Sequence, residues 1–136
     1  MEFNQYNTTV QQWIHTVLEN RETNADVVLE CCRDIIAYGR KTDDPKLMGF
    51  GFFYGGEIYY ELNDGAHFFH MMTEALTYLD RAEEWELVVR CYNFLGIASM
   101  SRGNPSLALD YYMNGLKDSD TSVSYTHLTL PTILRV

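Results

Sequence analysis

The sequence predicts an all-α fold of about six helices, and three observations support this. Apolar residues recur at spacings of three and four along most of the first 120 residues, which is the period of a helix that buries one face. The segments between these stripes are short and contain residues that begin or end helices. Prolines occur only at positions 45, 105 and 131, so each stripe can run without interruption.

The clearest pair of helices lies between Arg90 and Leu116. One apolar stripe ends at Gly103, and a second stripe begins directly after Asn104-Pro105. Glycine can adopt the left-handed conformation that closes a helix, asparagine can cap the next helix, and proline suits a first helical turn. Two helices joined by so short a turn are predicted to fold back as an antiparallel hairpin.

Two further helices are predicted before residue 42. The first runs from about Phe3 to Glu19, because the apolar residues of this segment form one stripe. The second follows Asn24, a residue type that caps helices. It is predicted to end near Arg40-Lys41, because two cations favour a helix C-terminus.

The third segment, from Leu47 to Leu62, is the most ambiguous. Its aromatic residues favour a strand when taken alone, and each of its glycines weakens a helix by about 1 kcal/mol relative to alanine. The boundary before it favours a helix, because Asp44 can cap and Pro45 can be the first helical residue. We predict a helix, since the neighbouring segments have the helical period and closely packed helices need small residues where their backbones meet.

The fourth helix is predicted to follow Asn63-Asp64-Gly65, the fifth to begin near Glu84-Trp85, and the sixth to follow Asn104-Pro105. The caps at Asn24, Asp64 and Asn104 are thus 40 residues apart, and apolar residues align at the same offset. The aligned columns are residues 28, 68 and 108; 29, 69 and 109; 32, 72 and 112; 36, 76 and 116; 14, 54 and 94; and 18, 58 and 98. The alternative is that the chain has no repeat, since any six-helix bundle has apolar positions at many offsets. Agreement between caps and columns favours a repeat of helix pairs.

The last copy resembles the tetratricopeptide repeat, which has Leu-Gly in its first helix, glycine at the turn, and alanine and an aromatic in its second helix. The matching residues are Leu95-Gly96, Gly103, Ala108, Tyr112 and Leu116. The resemblance implies a short right-handed α-solenoid of stacked helix hairpins. Repeats are expected at about residues 3–41, 45–80 and 84–118, within one domain over residues 1–120. The period of 40 departs from the family's 34, and the first copy matches only in its apolar pattern.

Residues 85–112 also resemble the helical region that precedes the diguanylate cyclase (GGDEF) domain in certain bacterial signalling proteins. That resemblance implies that the chain is an N-terminal fragment of such a protein. Residues 121–136 have a different character: they contain no acidic residue and lack the repeat pattern. They resemble translated adapter sequence, so we expect the native sequence to stop near Ser119–Val123.

Charge and cysteine content exclude several classes of function. The net charge is −9 and no stretch gathers Lys and Arg, so neither nucleic acid nor an anionic membrane is an expected partner. The cysteines are Cys31, Cys32 and Cys91, an odd number without C-x-x-C spacing, and they are expected to be core residues in a reducing compartment. No signal peptide or membrane span is apparent, so a cytoplasmic location is expected.

Candidate sites for chemistry are few. His67, His70 and Glu74 lie at i, i+3 and i+7 and could share a helix face, but no further strong ligand is evident, so no metal site is predicted. Cys31-Cys32 is not expected to form a redox pair, because adjacent residues on a helix point about 100° apart. No catalytic set or phosphate-binding motif is present, so neither an enzyme nor a cofactor is expected.

A partner-binding groove is the remaining candidate site, and the tetratricopeptide resemblance implies that the first helix of each pair lines it. Phe50 of the middle copy and Ile97 of the last copy are expected to face outward, together with the proposed groove residues. These groove residues are Phe53, Glu57, Tyr60, Arg90, Asn93 and Met100. Arg90 and Asn93 match the residues that hold a peptide carboxylate in such grooves, although in one copy only. The aromatic residues suit a peptide groove and a core role equally well.

The expected function is therefore a non-catalytic module that binds a protein or peptide, or that relays a signal to a fused output domain. The alternative is a structural scaffold that forms a homodimer and has no ligand groove. A small all-helical enzyme is disfavoured, because no catalytic constellation is visible in the sequence.

Overall fold

A computed structural model of the chain describes residues 1–119, and six α-helices are the regular structure within them. The helices are α1 (Thr8–Asn20), α2 (Ala25–Lys41), α3 (Pro45–Glu61), α4 (Gly65–Arg81), α5 (Trp85–Ser101) and α6 (Pro105–Ser119). No strand occurs in this part of the chain, so the predicted all-α class is confirmed. None of these six helices has both the length and the apolar character needed to cross a membrane. The tail predicted for residues 121–136 lies outside the described residues.

Helices α2 to α6 begin every 20 residues, which is half the period found in the sequence. Helices α2, α3, α4 and α5 are each 17 residues long, and a link of three residues follows each one. The middle residue of every link has a positive φ: 52° at Asp43, 62° at Asn63, 56° at Glu83 and 76° at Gly103. A left-handed residue at this place reverses the chain direction, so α2, α3 and α4 are antiparallel in turn, and α5 and α6 are antiparallel to each other.

In three links the last residue closes one helix and opens the next. The backbone N–H groups of Asp44, Asp64 and Asn104 each donate to a carbonyl five residues earlier, as in a Schellman motif. The side chain of each then accepts the N–H three residues later. These caps and the cap at Asn24 were predicted and are confirmed. Glu84 occupies the corresponding place before α5, where no side-chain cap bond forms.

The first helix begins later than predicted. Helix α1 starts at Thr8, because Asn7 caps it by accepting the N–H of Val10 at 2.9 Å. The residues before Asn7 are not helical. Phe3 and Tyr6 have the spacing of a helical stripe, but they lie against the start of α3 instead.

The described chain divides into two compact units, Met1–Ala82 and a second unit that begins at Glu83. The boundary falls where the third repeat was predicted to begin. In the first unit α1 packs on α2, α2 on α3, and α3 on α4; in the second unit α5 packs on α6. This sequential packing of hairpins is a repeat-like arrangement.

The ambiguous third segment is a helix that is buried on all sides. Every residue of α3 from Leu47 to Ile58 is buried. Its glycines form notches: a methyl group added at Gly49 would lie 2.6 Å from a methyl carbon of Leu79, and one added at Gly51 would lie 2.6 Å from Ile36 Cγ1. Leu79 belongs to α4 and Ile36 to α2, so α3 receives side chains from both neighbours. The aromatic and glycine content therefore reflects close helix packing.

The predicted apolar columns are only partly buried. Residues 28, 68 and 108 are buried, and so are residues 32, 72 and 112. The column at 29, 69 and 109 is not core, since Leu29 and Phe69 are half-buried and Leu109 is 59% exposed. Neighbouring positions on a helix point about 100° apart, so this column turns away from the face that packs.

One helix contact recurs at the 40-residue offset within each unit. A methyl group added at Gly56 would lie 3.0 Å from Met72 Cε, and one added at Gly96 would lie 2.3 Å from the ring of Tyr112. Gly56 precedes Gly96 by 40 residues, and Met72 precedes Tyr112 by the same number. The predicted role of Gly96, to let the two helices of a pair approach, is confirmed.

Replacing Gly96 with alanine is expected to destabilise the chain by about 2 kcal/mol, because the new methyl group overlaps the Tyr112 ring. Urea unfolding followed by circular dichroism measures the change. In a Tyr112→Ala background the same replacement is expected to be neutral or stabilising, since alanine favours a helix by about 1 kcal/mol over glycine. Equal costs in the two backgrounds would contradict this explanation.

Candidate functional site

The predicted groove residues of α3 do not all face outward. Phe53 is fully buried and Phe50 is nearly so, so their predicted outward orientation is wrong. The reason is that α3 has a packed helix on each side, α2 and α4. Glu57 is also largely buried, within an ion pair. Tyr60 is half-buried, and its ring lies 5.4 Å from that of Phe68.

The predicted groove residues of α5 lie in the second unit and are more accessible. Arg90 and Asn93 are half-buried, and Met100 is 37% exposed. Their spacing places all three on one side of α5. Within residues 1–119 the carboxamide oxygen of Asn93 is buried and accepts no hydrogen bond. The proposal that Arg90, Asn93 and Met100 line a groove therefore stays a prediction.

A bidentate ion pair joins the α1–α2 link to α3 in the first unit. Arg21, in the link after α1, donates from Nε to Glu57 Oε1 at 2.8 Å and from Nη2 to Glu57 Oε2 at 2.6 Å. Burial lowers the pKa of Arg21, but the hydrogen bond and charge of Glu57 outweigh burial and raise it above its ordinary value. Sequence reasoning missed Arg21, because the polar break between two stripes gave no sign of its partner 36 residues later.

Three residues of α3 form a stripe that the segments flanking α1 cover. This α3 stripe consists of Phe50, Tyr54 and Glu57, at spacings of four and three. The rings of Phe50 and Tyr54 have centroids 4.6 Å apart. Phe3 packs edge-on against Phe50 at 5.2 Å, and the Arg21 guanidinium lies 5.0 Å from the Tyr54 ring centre. The chain before α1 thus covers one end of the stripe, and the link after α1 covers the other end.

Residues 1–7, which we call the N-terminal strap, are held by side-chain contacts near the start of α3. The Tyr6 hydroxyl donates to the Asp44 carboxylate at 2.8 Å, and Asp44 is the residue that caps α3. The Lys46 ammonium lies 5.0 Å from the Phe3 ring centre and donates to the carbonyl of Glu2. Phe3 and Tyr6 are the only half-buried side chains of the strap, and the others are exposed.

An open cleft of about 520 Å³ lies beside the Arg21–Glu57 pair. The α1–α2 link forms one wall and the C-terminal part of α3 forms the other. Its charged lining consists of Arg21, Glu22, Glu57 and Glu61, and the exposed Leu62 adds apolar surface. Three carboxylates against one guanidinium give the cleft a net negative charge, which favours a basic group.

The histidines noted in the sequence have local partners on the protein surface. His67 Nδ1 lies 2.8 Å from Asp64 Oδ2, and the His67 ring stacks on Tyr59 with centroids 4.8 Å apart. The backbone N–H of His67 lowers the pKa of Asp64, and the His67 side chain adds to this effect. His70 lies edge-on to Phe52 at 6.5 Å. In the described part of the chain, no three His, Cys, Asp or Glu side chains are placed to hold a metal ion.

The three thiols are free and shielded to different degrees. Cys32 and Cys91 are buried, and Cys31 is half-buried. Burial raises the pKa of all three thiols, and the carboxylates of Asp34 and Glu30 contribute at Cys31. A raised pKa leaves little thiolate near neutral pH, so none of these positions resembles an activated nucleophile.

Comparison with known proteins gave no relative. No protein-family model matches this chain, and no curated protein or solved structure matches it. The tetratricopeptide and diguanylate cyclase resemblances therefore stay predictions, and the geometry of the first unit is the basis for a functional proposal.

Breaking the Arg21–Glu57 pair is expected to cost about 2 kcal/mol of unfolding free energy in either Arg21→Met or Glu57→Met, because each leaves a partly shielded charge without its countercharge. The double variant Arg21→Met/Glu57→Met is expected to recover most of this loss. His15→Ala is the matched control: it breaks the exposed His15–Glu19 pair and is expected to cost less than about 0.5 kcal/mol. Urea unfolding of all variants measures these differences, and additive costs in the double variant would contradict the coupling.

Alkylation is expected to distinguish the cysteines of the folded chain. At pH 8 iodoacetamide should modify Cys31 slowly and leave Cys32 and Cys91 unmodified, because burial raises their pKa and blocks access. In urea all three should react at similar rates. Peptide mapping by mass spectrometry measures this, and reaction of Cys91 as fast as Cys31 without urea would contradict the described burial.

Proposed function

We propose that this chain is a non-catalytic, tetratricopeptide-like interaction module that binds a basic segment of a protein or peptide. The cleft beside the Arg21–Glu57 pair is the observation that carries the proposal. It combines carboxylates at Glu22 and Glu61 with exposed apolar surface at Leu62, a combination that suits the ammonium or guanidinium group and the methylene stem of a Lys or Arg side chain.

Two further observations support a binding role. The net charge of −9 draws basic partners toward the chain and speeds their encounter. The ion pair to Arg21 fixes Glu57 in place, so the cleft is formed before any partner arrives. A preformed site loses less conformational entropy when it binds.

We further propose that the parent protein is a cytoplasmic bacterial signalling protein in which this module precedes a diguanylate cyclase domain. The support is the resemblance of residues 85–112 to the helical region of such proteins. In that setting a partner that binds the module would relay a signal to the fused domain.

A dimerisation scaffold is the second candidate. Leu109 is 59% exposed and Met113 is 57% exposed, and their spacing of four places them on one face of α6. An exposed apolar pair on a helix is a contact that a second copy could cover.

A display library of random peptides selected on the immobilised full chain is expected to enrich peptides that contain Lys or Arg. Fluorescence anisotropy then gives the affinity of an enriched peptide. Glu61→Lys is expected to weaken binding roughly tenfold or more, because it replaces attraction in the cleft with repulsion. Glu30→Lys makes the same charge change at an exposed position of α2 outside the cleft, and is expected to change affinity less than about threefold.

Enrichment without basic residues, or equal effects of Glu61→Lys and Glu30→Lys, would contradict the cleft as the binding site. Light scattering on the full chain separates the two candidates. A dimer at micromolar concentration that Leu109→Asp/Met113→Asp dissociates, together with no enriched peptide, would favour the scaffold.

A further inference from the structure

The N-terminal strap occupies a surface of α3 that a partner segment could also use. The strap is not helical, although Phe3 and Tyr6 have the spacing of a helical stripe. Helix α1 begins only at Thr8, so the strap is free to cross to α3, where Phe3 packs on Phe50. Phe50 is almost fully buried, and the Phe3 ring is one of the neighbours that cover it.

The strap contacts α3 in the manner of a bound peptide. Two anchors three residues apart, Phe3 and Tyr6, supply its half-buried side chains. The first anchor packs on an aromatic ring under the Lys46 ammonium, and the second donates a hydrogen bond to Asp44. The carbonyl of Glu2 also accepts from Lys46. The surface therefore offers three contacts to a bound segment. The Phe50 ring packs against an aromatic side chain, the Lys46 ammonium donates to a backbone carbonyl, and the Asp44 carboxylate accepts from a hydroxyl.

We propose that the strap is an exchangeable occupant of this surface, and that a partner segment with the pattern Phe-x-x-Tyr, turned between its two aromatic residues as the strap is, replaces it. This inference rests on the proposed function, because it supplies the module with a second binding surface on α3. The strap is covalently attached, so it competes with a partner at an effective concentration in the millimolar range. The chain is therefore partly inhibited by its own N-terminal segment.

The chemistry of the occupant follows from the three contacts. Phe50 requires an aromatic or large apolar side chain, and the Lys46 ammonium favours an aromatic face over an aliphatic one. The Asp44 carboxylate requires a donor three residues later, which a tyrosine hydroxyl provides. A phenylalanine at the second position would fill the space without the hydrogen bond.

The test uses a fluorescent peptide of residues 1–7 added to the full chain. The peptide is expected to bind the Phe3→Ala/Tyr6→Ala chain roughly tenfold or more tightly than the unaltered chain, because the weakened strap no longer competes. A peptide with alanine at both anchors is the control and should bind neither chain. Adding Lys46→Ala to the double variant should weaken peptide binding, which locates the peptide on this surface.

A second measurement needs no variant and so does not depend on the altered chain folding. In NMR spectra of the unaltered chain, excess unlabelled peptide should shift the ring resonances of Phe3 and Tyr6 toward their values in a free peptide. Equal peptide affinity of both chains, or unchanged ring resonances at saturating peptide, would overturn the proposal. A dimer that the free peptide dissociates would also overturn it, because the occupant would then be the strap of a second copy.

The proposal that the strap is exchangeable can fail this test while the cleft proposal stands. Basic peptides from the display library should bind with affinities that depend on Glu61 and not on Phe3 or Tyr6. Loss of library binding in Glu61→Lys with no exchange of the strap would remove only the inference about Phe-x-x-Tyr segments.

Discussion

The three-residue link is the constraint on which the rest of the structure depends. In each link a residue with positive φ ends one helix, and in three of them the next residue both completes that ending through its N–H and caps the following helix through its side chain. Because one residue does both, no length is left for an irregular loop. The hairpins α2–α3, α3–α4 and α5–α6 therefore have the same tight turn.

That regular spacing explains why α3 can be so rich in glycine. A helix held between two close neighbours gains more from notches than it loses in helix propensity, since each notch receives a side chain from α2 or α4. The aromatic residues between the notches are buried in turn. Helix α3 consequently has no outward face along its middle, and its accessible surfaces lie at its two ends.

The sequence predicted what local chemistry determines and missed what depends on distant contacts. The fold class, the caps at Asn24, Asp44, Asp64 and Asn104, and the Gly96 approach followed from residue type and spacing. The outward orientation of Phe53 was wrong, because helical periodicity does not reveal that a helix has neighbours on both sides. The Arg21–Glu57 pair and the strap were missed for a related reason, since each joins residues far apart in sequence.

The spacing of helix starts also determines how such a chain can gain or lose helices during evolution. The starts of α2 to α6 recur every 20 residues, but neighbouring helices within a unit run in opposite directions and meet different neighbours, so sequence similarity returns only after 40. Adding or losing one helix would reverse the direction of everything that follows it. Growth by whole hairpins preserves direction and register, so duplication of a gene segment that encodes two helices is the step that this architecture tolerates.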